Sequence, residues 1–485
     1  MSRAESLHND GIAALRAKNF SAAIDLISQA IALDPRNARY HVNRGEAYRQ
    51  ANQAERALAD FRRATELDPS NATAHYNLGL ALRAANEIDE SIAHYREAIG
   101  LKPDYVKAHY NLANTLRARG DLVAAEQSYR NAMALNPEQA EPWNNLGELL
   151  SELMRIDEAT AAFDRAIGLK SDHAGARYNR GFLDLLRGEY RTGWDAYEWR
   201  WRMPLFANSA PRFAQPMWDG SDLAGKTILL LGEQGVGDNI QFARYATLIA
   251  ERGGRVVLRC QKSVASLLAT IRGVERAVDE TDPLPNFDTW IPMMSLPRVF
   301  GTTLENVPSN VPYVFPDPQK VEDWRSKIGP HRSKLNIGLA WAGNANQAND
   351  RNRSANLSLL QPLAGVADTK IFSLQKGPAT SQIGPSNLNL IDLTNGVADF
   401  SDTAALIANL DVVVSVCTSV AHVAGAMGKP TLTMLCYNAD WRWLMRREDS
   451  PWYPTMKLFR QEKQGDWESV AIRVRDELLL RAGAL

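Results

Sequence analysis

"AHYNLGLALRAANEIDESIAHYREAIGLKP", residues 74–103, carries positions that recur every 34 residues along the first 200 residues of the chain. Pro35, Pro69, Pro103 and Pro137 keep that step, with Ser171 in the next slot. So do Gly11, Gly45, Gly79, Gly147 and Gly181, with Ala113 in the remaining slot. Small residues Ala23, Ala57, Ser91, Ala125 and Ala159 share the period, as do bulky Ile27, Phe61, Tyr95, Tyr129 and Phe163. Each repeat reads as two antiparallel helices: small residues permit close approach, bulky ones fill the gap, and proline ends the second helix. Five full repeats start near residue 4, and a sixth trails into "GEYRTGWDAYEWRWRM" (188–203).

A 34-residue period with this pattern is similar to the tetratricopeptide signature and implies an α-solenoid over residues 1–203. One further set shares it. Asn9, Asn43, Asn77, Asn111, Asn145 and Asn179 each precede the Gly/Ala position by two residues, on the first helix of the repeat. One reading is structural, each amide bonding a neighbouring loop. The other is a ladder of amides along the concave groove, offering a donor and an acceptor as a peptide backbone does. First helices about 10 Å apart would meet roughly every third unit of a peptide that advances about 3.3 Å per residue. Such a groove would hold an extended protein acceptor with little sequence preference.

The chain has 485 residues, which implies two or three domains. Its 55 basic and 56 acidic residues nearly cancel, which argues against a general nucleic-acid or anionic-membrane binder. Cys260, Cys417 and Cys436 are too scattered for a disulfide framework or a metal knuckle. No apolar signal-like run opens the sequence, and "LDVVVSVCTSVAHVAGAMGKP" (410–430) reads as strand, turn and helix rather than a membrane span. The expectation is a cytoplasmic protein without a membrane span.

After a Pro/Ser/Gly-rich linker over 204–225 the texture changes. "TILLL", "RVVLRC" and "FDTWIP" read as strands of one α/β domain, 226–320. "NIGLAW", "KIFSL", "LNLID", "DVVVSV" and "TLTML" read as strands of a second, 335–485, ending in a C-terminal helix. Alternating strands and helices imply parallel, doubly wound sheets, with ligands at the carboxyl ends of the strands. The expected class is thus α + α/β multidomain: a helical solenoid followed by a pair of Rossmann-like domains.

"GEQGVGDN" (232–239) follows the first of these strands. A phosphate-binding P-loop would end in GK[ST]; this turn ends in GDN. A dinucleotide fingerprint needs G-x-G-x-x-G, whereas Gly232, Gly235 and Gly237 give G-x-x-G-x-G, and the next strand ends in Arg259, Cys260 and Gln261 without an acid for the ribose. Two readings of Asp238 stay open: the N-cap of the following helix, or a general base aimed into the cleft. In the second reading Gly235, Gly237 and Asn239 form the acceptor-side loop, the glycines admitting an acceptor close to the backbone.

Across the cleft, Thr418 and Ser419 begin a helix whose free N–H groups suit a diphosphate. His422 follows one turn later, as a phosphate donor or a packed core residue. "NANQANDRNRS" (344–354) brings Arg351 and Arg353, of which Arg353 is the candidate donor ligand. Gln375 and Lys376, in "FSLQKGP", stand past another strand end. "DWRWLMRREDSPWYP" (440–454) either stacks on a sugar or packs. No strand-end Asp-x-Asp and no His/Cys cluster points to a metal.

"LLLGEQGVGDNIQFARYATLIAERG" and "VSVCTSVAHVAGAMGKPTLTML" resemble the N-terminal and nucleotide-diphosphate motifs of heptosyltransferase-type enzymes, glycosyltransferase family nine. Together they cover most of 226–460, and the repeat-plus-domain arrangement is similar to bacterial repeat-bearing glycosyltransferases, some associated with flagellin modification. The asparagine ladder is similar to that of O-linked N-acetylglucosamine transferases. The resemblance implies a GT-B arrangement, Asp238 as base, a nucleotide-sugar co-substrate, no metal, and a protein acceptor, flagellin-like among the possibilities. The family's aspartate before the second motif's helix is replaced here by Cys417, which implies altered donor choice or lost activity. The expected function is inverting, metal-independent sugar transfer to a protein hydroxyl. The alternative is a non-catalytic repeat scaffold with a degenerate GT-B domain.

Overall fold

The computed structural model describes residues 1–207, 210–347 and 349–484. Asn208 and Ser209 of the expected linker, Ala348 of the polar loop, and Leu485 lie outside the described residues. The chain divides into two compact units, one ending at Ala176 and one starting at Arg177. It is an α + α/β multidomain protein, a helical solenoid followed by parallel sheets.

The first unit is built from helix pairs α1 (Arg3–Arg16) and α2 (Phe20–Leu33), α3 (Ala38–Gln50) and α4 (Ala54–Leu67), and α5 (Ala72–Ala84) and α6 (Ile88–Leu101). Two more pairs follow: α7 (Val106–Arg119) with α8 (Leu122–Leu135), and α9 (Ala140–Glu152) with α10 (Ile156–Leu169). The recurring glycine sets the distance within a pair. A Cβ on Gly45 would sit 2.7 Å from the Phe61 ring, and one on Gly79 2.8 Å from Tyr95. Both rings are fully buried, so neither has room to retreat. The serine at the small-residue position of the third repeat adds a bond, Ser91 Oγ donating to the Gly79 carbonyl at 2.7 Å.

A recurring element escapes the sequence reading. His41, His75, His109 and Trp143 also step by 34 residues. Their ring nitrogens reach the carbonyls of Pro35, Pro69, Pro103 and Pro137 at 3.4, 3.0, 2.9 and 3.2 Å. Each ring thus ties a repeat's first helix to the proline turn before it, satisfying a carbonyl left over at a helix end.

The sixth pair, α11 (Ala174–Arg187) and α12 (Tyr190–Tyr197), belongs largely to the second unit. The reason is aromatic packing. Tyr190, Trp194 and Tyr197 are buried, and Trp194 meets Trp441 edge-on at 5.1 Å between centroids. Trp452 Nε1 donates to the Tyr190 hydroxyl at 3.0 Å. A short helix, α13 (Pro204–Ala207), follows.

The first sheet contains β1 (Thr227–Leu231), β2 (Arg255–Cys260), β3 (Val274–Asp279) and β4 (Thr289–Pro292), all parallel, in the order β3-β2-β1-β4. Helices α14 (Val236–Ala243), α15 (Tyr245–Glu251), α16 (Lys262–Leu268) and α17 (Leu296–Val299) lie between its strands or after them, and α18 (Pro318–Ile328) leads onward. The second sheet contains β5 (Leu335–Ala340), β6 (Thr369–Ser373), β7 (Leu390–Ile391), β8 (Val412–Val416), β9 (Thr431–Leu435) and β10 (Met456–Arg460). It too is parallel, in the order β10-β9-β8-β5-β6-β7. Its helices are α19 (Asp350–Arg353), α20 (Phe400–Ala408), α21 (Ser419–Ala426) and α22 (Trp467–Ala484). Strand β1 is wholly buried, as are β5, β8 and β9, which explains their continuous apolar runs.

These orders place the site. In each sheet the winding reverses at one point, between β1 and β4 and between β5 and β8. Side chains at the carboxyl ends beside a reversal face an open crevice. The loops there are 232–235 after β1, 341–347 with Asn349 after β5, and 417–418 after β8.

Candidate functional site

The loop after β1 is shaped by its own side chains. Gln234 takes a left-handed backbone conformation, φ 53°. Asn239 is buried and spans the turn, its Oδ1 accepting from the Glu233 amide at 3.1 Å and its Nδ2 donating to Gln261 at 2.7 Å. The amide of Asn239 is therefore spent inside the loop. Asp238 lies one turn into α14, and its Oδ2 accepts the Gly235 amide at 2.8 Å, closing the helix start. Its Oδ1 accepts from Arg442. The N-cap of α14 is Gly235, not Asp238, which closes the turn from three residues on with one oxygen and is held by Arg442 on the other. Burial raises its carboxyl above the usual range, against the pull of Arg442 and the Gly235 amide.

Gly237 has a different role from the acceptor passage expected of it. A Cβ there would sit 2.7 Å from the His422 ring. The glycine lets α14 and α21 touch at their N-terminal turns. His422 is buried, and burial followed by Arg442, Arg244 and Arg353 holds its imidazole well below the usual range, so it is neutral. Its Nδ1 is 2.9 Å from the Tyr453 hydroxyl. With that hydroxyl donating, the proton of the ring sits on Nε2, which has no hydrogen-bond partner among the described residues.

Thr418 is the N-cap of α21 in extended conformation, without a side-chain capping bond. Both Thr418 and Ser419 are half-buried. The helix thus starts at the carboxyl end of β8, and among the described residues neither hydroxyl makes a hydrogen bond. Beside it Cys417 Sγ accepts from Trp443 Nε1 at 3.0 Å. Burial, then the Asp440 carboxylate, pushes that thiol up to about 11.

Arg353 reaches the same crevice from α19, in the segment after β5. It pairs with Asp350 at 3.2 Å and lies over Gly343, where a Cβ would meet its guanidinium at 2.6 Å. Its charge acts on Asp238, Cys417 and His422 together. Gln375 and Lys376 are engaged elsewhere. Gln375 is buried, its Oε1 accepting from the Trp341 and Ala342 amides at 3.0 and 2.8 Å, so it shapes the β5 loop. The Lys376 ammonium donates to the Val397 carbonyl. The Trp-rich segment packs: Trp441, Trp443 and Trp452 are all buried.

The main residue missed by sequence reasoning is Arg442. Its side chain is 9% exposed and holds two carboxylates, Asp238 and, at 2.7 Å, Asp440, while Nε donates to Gln241 at 2.8 Å. Two of the three acceptors on its side chain, Asp238 and Gln241, lie 204 and 201 residues away in sequence, so no spacing signals it. Glu233 and Arg200 were missed too. Arg200, fully buried, pairs with Glu233 at 2.9 Å and Glu198 at 2.8 Å and donates to Ser295. Burial raises the Glu233 carboxyl, with Arg200 opposing. Among the described residues no three His, Cys, Asp or Glu side chains group as a metal site requires.

The asparagine positions resolve into struts between repeats. Asn43 Nδ2 lies 2.8 Å from His8 Nε2. Asn111 donates to the Tyr76 hydroxyl at 3.0 Å, and Asn145 to the Tyr110 hydroxyl at 2.8 Å. Each of these three partners precedes the previous repeat's asparagine by one residue; Asn145 also donates to Asn114 and Asn111 to the Lys107 carbonyl, both at 3.0 Å. At that place the second repeat has Val42, and Asn77 has no side-chain hydrogen bond among the described residues. Asn9 reaches Met1 Sδ at 3.6 Å, and Asn179 is not free. Three of the six amides, Asn43, Asn111 and Asn145, thus bond side chains on the preceding repeat's first helix and not a neighbouring loop.

Residues 45–84 and 79–116 match the family described as TPR repeat, and 110–174 the family described as Tetratricopeptide repeat. Over residues 45–174 the helical repeats are tetratricopeptide repeats. Protein FlbA of Caulobacter vibrioides is 29% identical over 359 residues, 67% of this chain and 59% of that protein. The chain thus spans less than two thirds of that relative. Among solved structures, MamA is 23% identical, with 34% of this chain and 96% of that one covered, TM-score 0.32. YrrB, described as a TPR protein with an unusual peptide-binding site, is 23% identical over 38% and 97%, TM-score 0.33. PilF of Pseudomonas aeruginosa is 18% identical over 42% and 92%, TM-score 0.39. Among the described residues no helix is long and apolar enough to cross a membrane.

Proposed function

We propose that the protein binds a polypeptide through its tetratricopeptide groove and transfers a sugar to it from a nucleotide sugar, with inversion and through its own side chains. The observation that carries this reading is one crevice holding Asp238, neutral His422, Arg353, Arg442 and the open start of α21.

The chemistry follows from their charges. The N–H groups and hydroxyls at Thr418 and Ser419, with Arg353, take the donor diphosphate, and His422 Nε2 donates to it. The diphosphate competes for the Arg442 guanidinium and frees Asp238 Oδ1. Asp238 then removes the acceptor hydroxyl proton, and the oxygen attacks the anomeric carbon. The carbon–oxygen bond to the diphosphate breaks, and the departing oxygen keeps the electron pair, stabilised by the same cations.

A second reading is favoured by Arg442 seated on Asp238 and by Cys417: a repeat scaffold whose α/β half senses a nucleotide without transfer. Calorimetric titration with UDP, GDP, ADP and CMP sugars, then intact-mass analysis of co-expressed proteins, separates the two. Donor binding with a sugar mass increment supports the enzyme. Binding without an increment supports the scaffold, and no binding of any donor overturns both accounts of the crevice.

A further inference from the structure

Near the start of the solenoid a cavity of about 350 Å³ opens between the first helices of repeats one, two and three. Its lining includes Ile12 and Arg16 from α1, Arg39, Val42 and Asn43 from α3, and Thr73 at the start of α5. Ile12 and Val42 give it an apolar floor. Arg16 and Arg39 are exposed, and neither has an ion pair or a side-chain hydrogen bond among the described residues. The Arg39 charge is felt at buried His8, whose imidazole is pushed down first by burial and then by Arg39.

The pair is local. By the 34-residue period Arg16 is followed by Gln50, Ala84, Ala118 and Glu152, and Arg39 by Thr73, Lys107 and Glu141. No later repeat boundary carries a basic residue at both positions. Farther along, Arg117 is neutralised by Glu148 and Glu152, at 2.7 Å from the first. Amides flank the cavity. Asn43 uses Nδ2 on His8 and keeps its oxygen, and Asn77, one turn along α5 from Thr73, keeps both groups.

We propose that this cavity seats an acidic side chain of an extended polypeptide, Arg16 and Arg39 taking the carboxylate while Asn43 and Asn77 bond the flanking backbone. The inference rests on the reading that the groove holds a polypeptide, and it names the chemistry of that partner. Val42 fits the assignment: the ring that fills this place in other repeats would stand where the side chain enters and would occupy Asn77. Two guanidinium groups over an apolar floor suit a carboxylate on a short methylene stem.

The test uses the full chain and three fluorescein-labelled probes: a decapeptide alternating Glu and Ala, its Gln/Ala counterpart, and a ten-nucleotide single-stranded DNA. Fluorescence anisotropy should show the Glu peptide binding about tenfold or more tightly than the Gln peptide, an advantage that shrinks with salt. Arg16→Glu with Arg39→Glu should remove the preference, as should the milder Arg16→Gln with Arg39→Gln, at unchanged circular dichroism. Arg63→Glu, on the second helix of its repeat, should leave it intact. Equal binding of the two peptides, no binding of either, an unaffected double variant, or tighter binding of the DNA overturns the proposal. Sugar transfer to a protein that proceeds unchanged in the double variant would overturn it while leaving the proposed function standing.

Discussion

Arg442 forms an ion pair with Asp238, joining the loop after β9 to the helix that follows β1. A second carboxylate, Asp440, shares the same guanidinium at 2.7 Å. Removing the arginine leaves two like charges together with little water. Arg442→Ala should cost about 3–5 kcal/mol, the range for an orphaned buried charge. Asp238→Asn keeps Arg442 paired with Asp440 and should cost only about 1–3 kcal/mol. It should still abolish sugar transfer while nucleotide binding survives. Urea denaturation ranks the two variants. Wild-type turnover in Asp238→Asn would remove that residue from the role of base.

The buried imidazole of His422 makes stability depend on pH. Its folded value lies below the ordinary one, so the unfolded chain binds a proton first as pH falls. The His422 contribution is intact above about pH 6.5 and declines below it, by about 1.4 kcal/mol per pH unit until the folded value is reached. Urea midpoints of wild type and His422→Gln between pH 7.5 and 5.5 isolate the effect. The wild-type curve should fall more steeply than that of the variant; parallel curves would show an imidazole that titrates in the fold as it does in the unfolded chain.

All three thiols are held in the protonated form by burial, Cys417 at about 11 and Cys260 and Cys436 at about 12. At pH 8 a group with a value near 11 is only about one thousandth thiolate, and the thiolate is the reactive form. Ellman's reagent should therefore label none of them quickly in the folded protein and all three in urea. Fast labelling of Cys417 in the folded protein would mean that Trp443 does not hold its sulfur and that the crevice is more open than described.

The repeats were legible because a period averages over many residues. Glycine, the bulky ring and proline each recur, and their contacts follow. The strands at the sheet centres were legible because burial on both faces leaves unbroken apolar runs: "TILLL" is β1 to the residue, and "RVVLRC" is β2. The missed strands, "VERAVD" (β3) and "MKLFR" (β10), lie at sheet edges, where polar residues interrupt the run. Motif logic brought Asp238, Thr418, Ser419, His422 and Arg353 to one crevice. It gave no sign that Gln375 would turn back onto two β5-loop amides, because a strand-end position does not fix a side chain's direction. Arg442 was hidden for the opposite reason, since Asp238 and Gln241 reach it from a distant segment and no local pattern marks an arginine that will be buried.

Val42 interrupts the strut series, which leads to the last prediction. Tyr76 and Tyr110 hold the asparagine of the next repeat, and the same geometry at position 42 would bring a hydroxyl to Asn77. Val42→Tyr should therefore raise the stability of the solenoid by about 0.5–1.5 kcal/mol, the net worth of one hydrogen bond. Asn77→Ala should cancel that gain in the Val42→Tyr background and change little alone. A double-mutant cycle by urea denaturation measures the coupling. The same substitution closes the cavity beside Arg16 and Arg39, so the gain in stability should come with a loss of acidic-peptide binding. A Val42→Tyr variant with undiminished peptide affinity would place the peptide elsewhere on the groove.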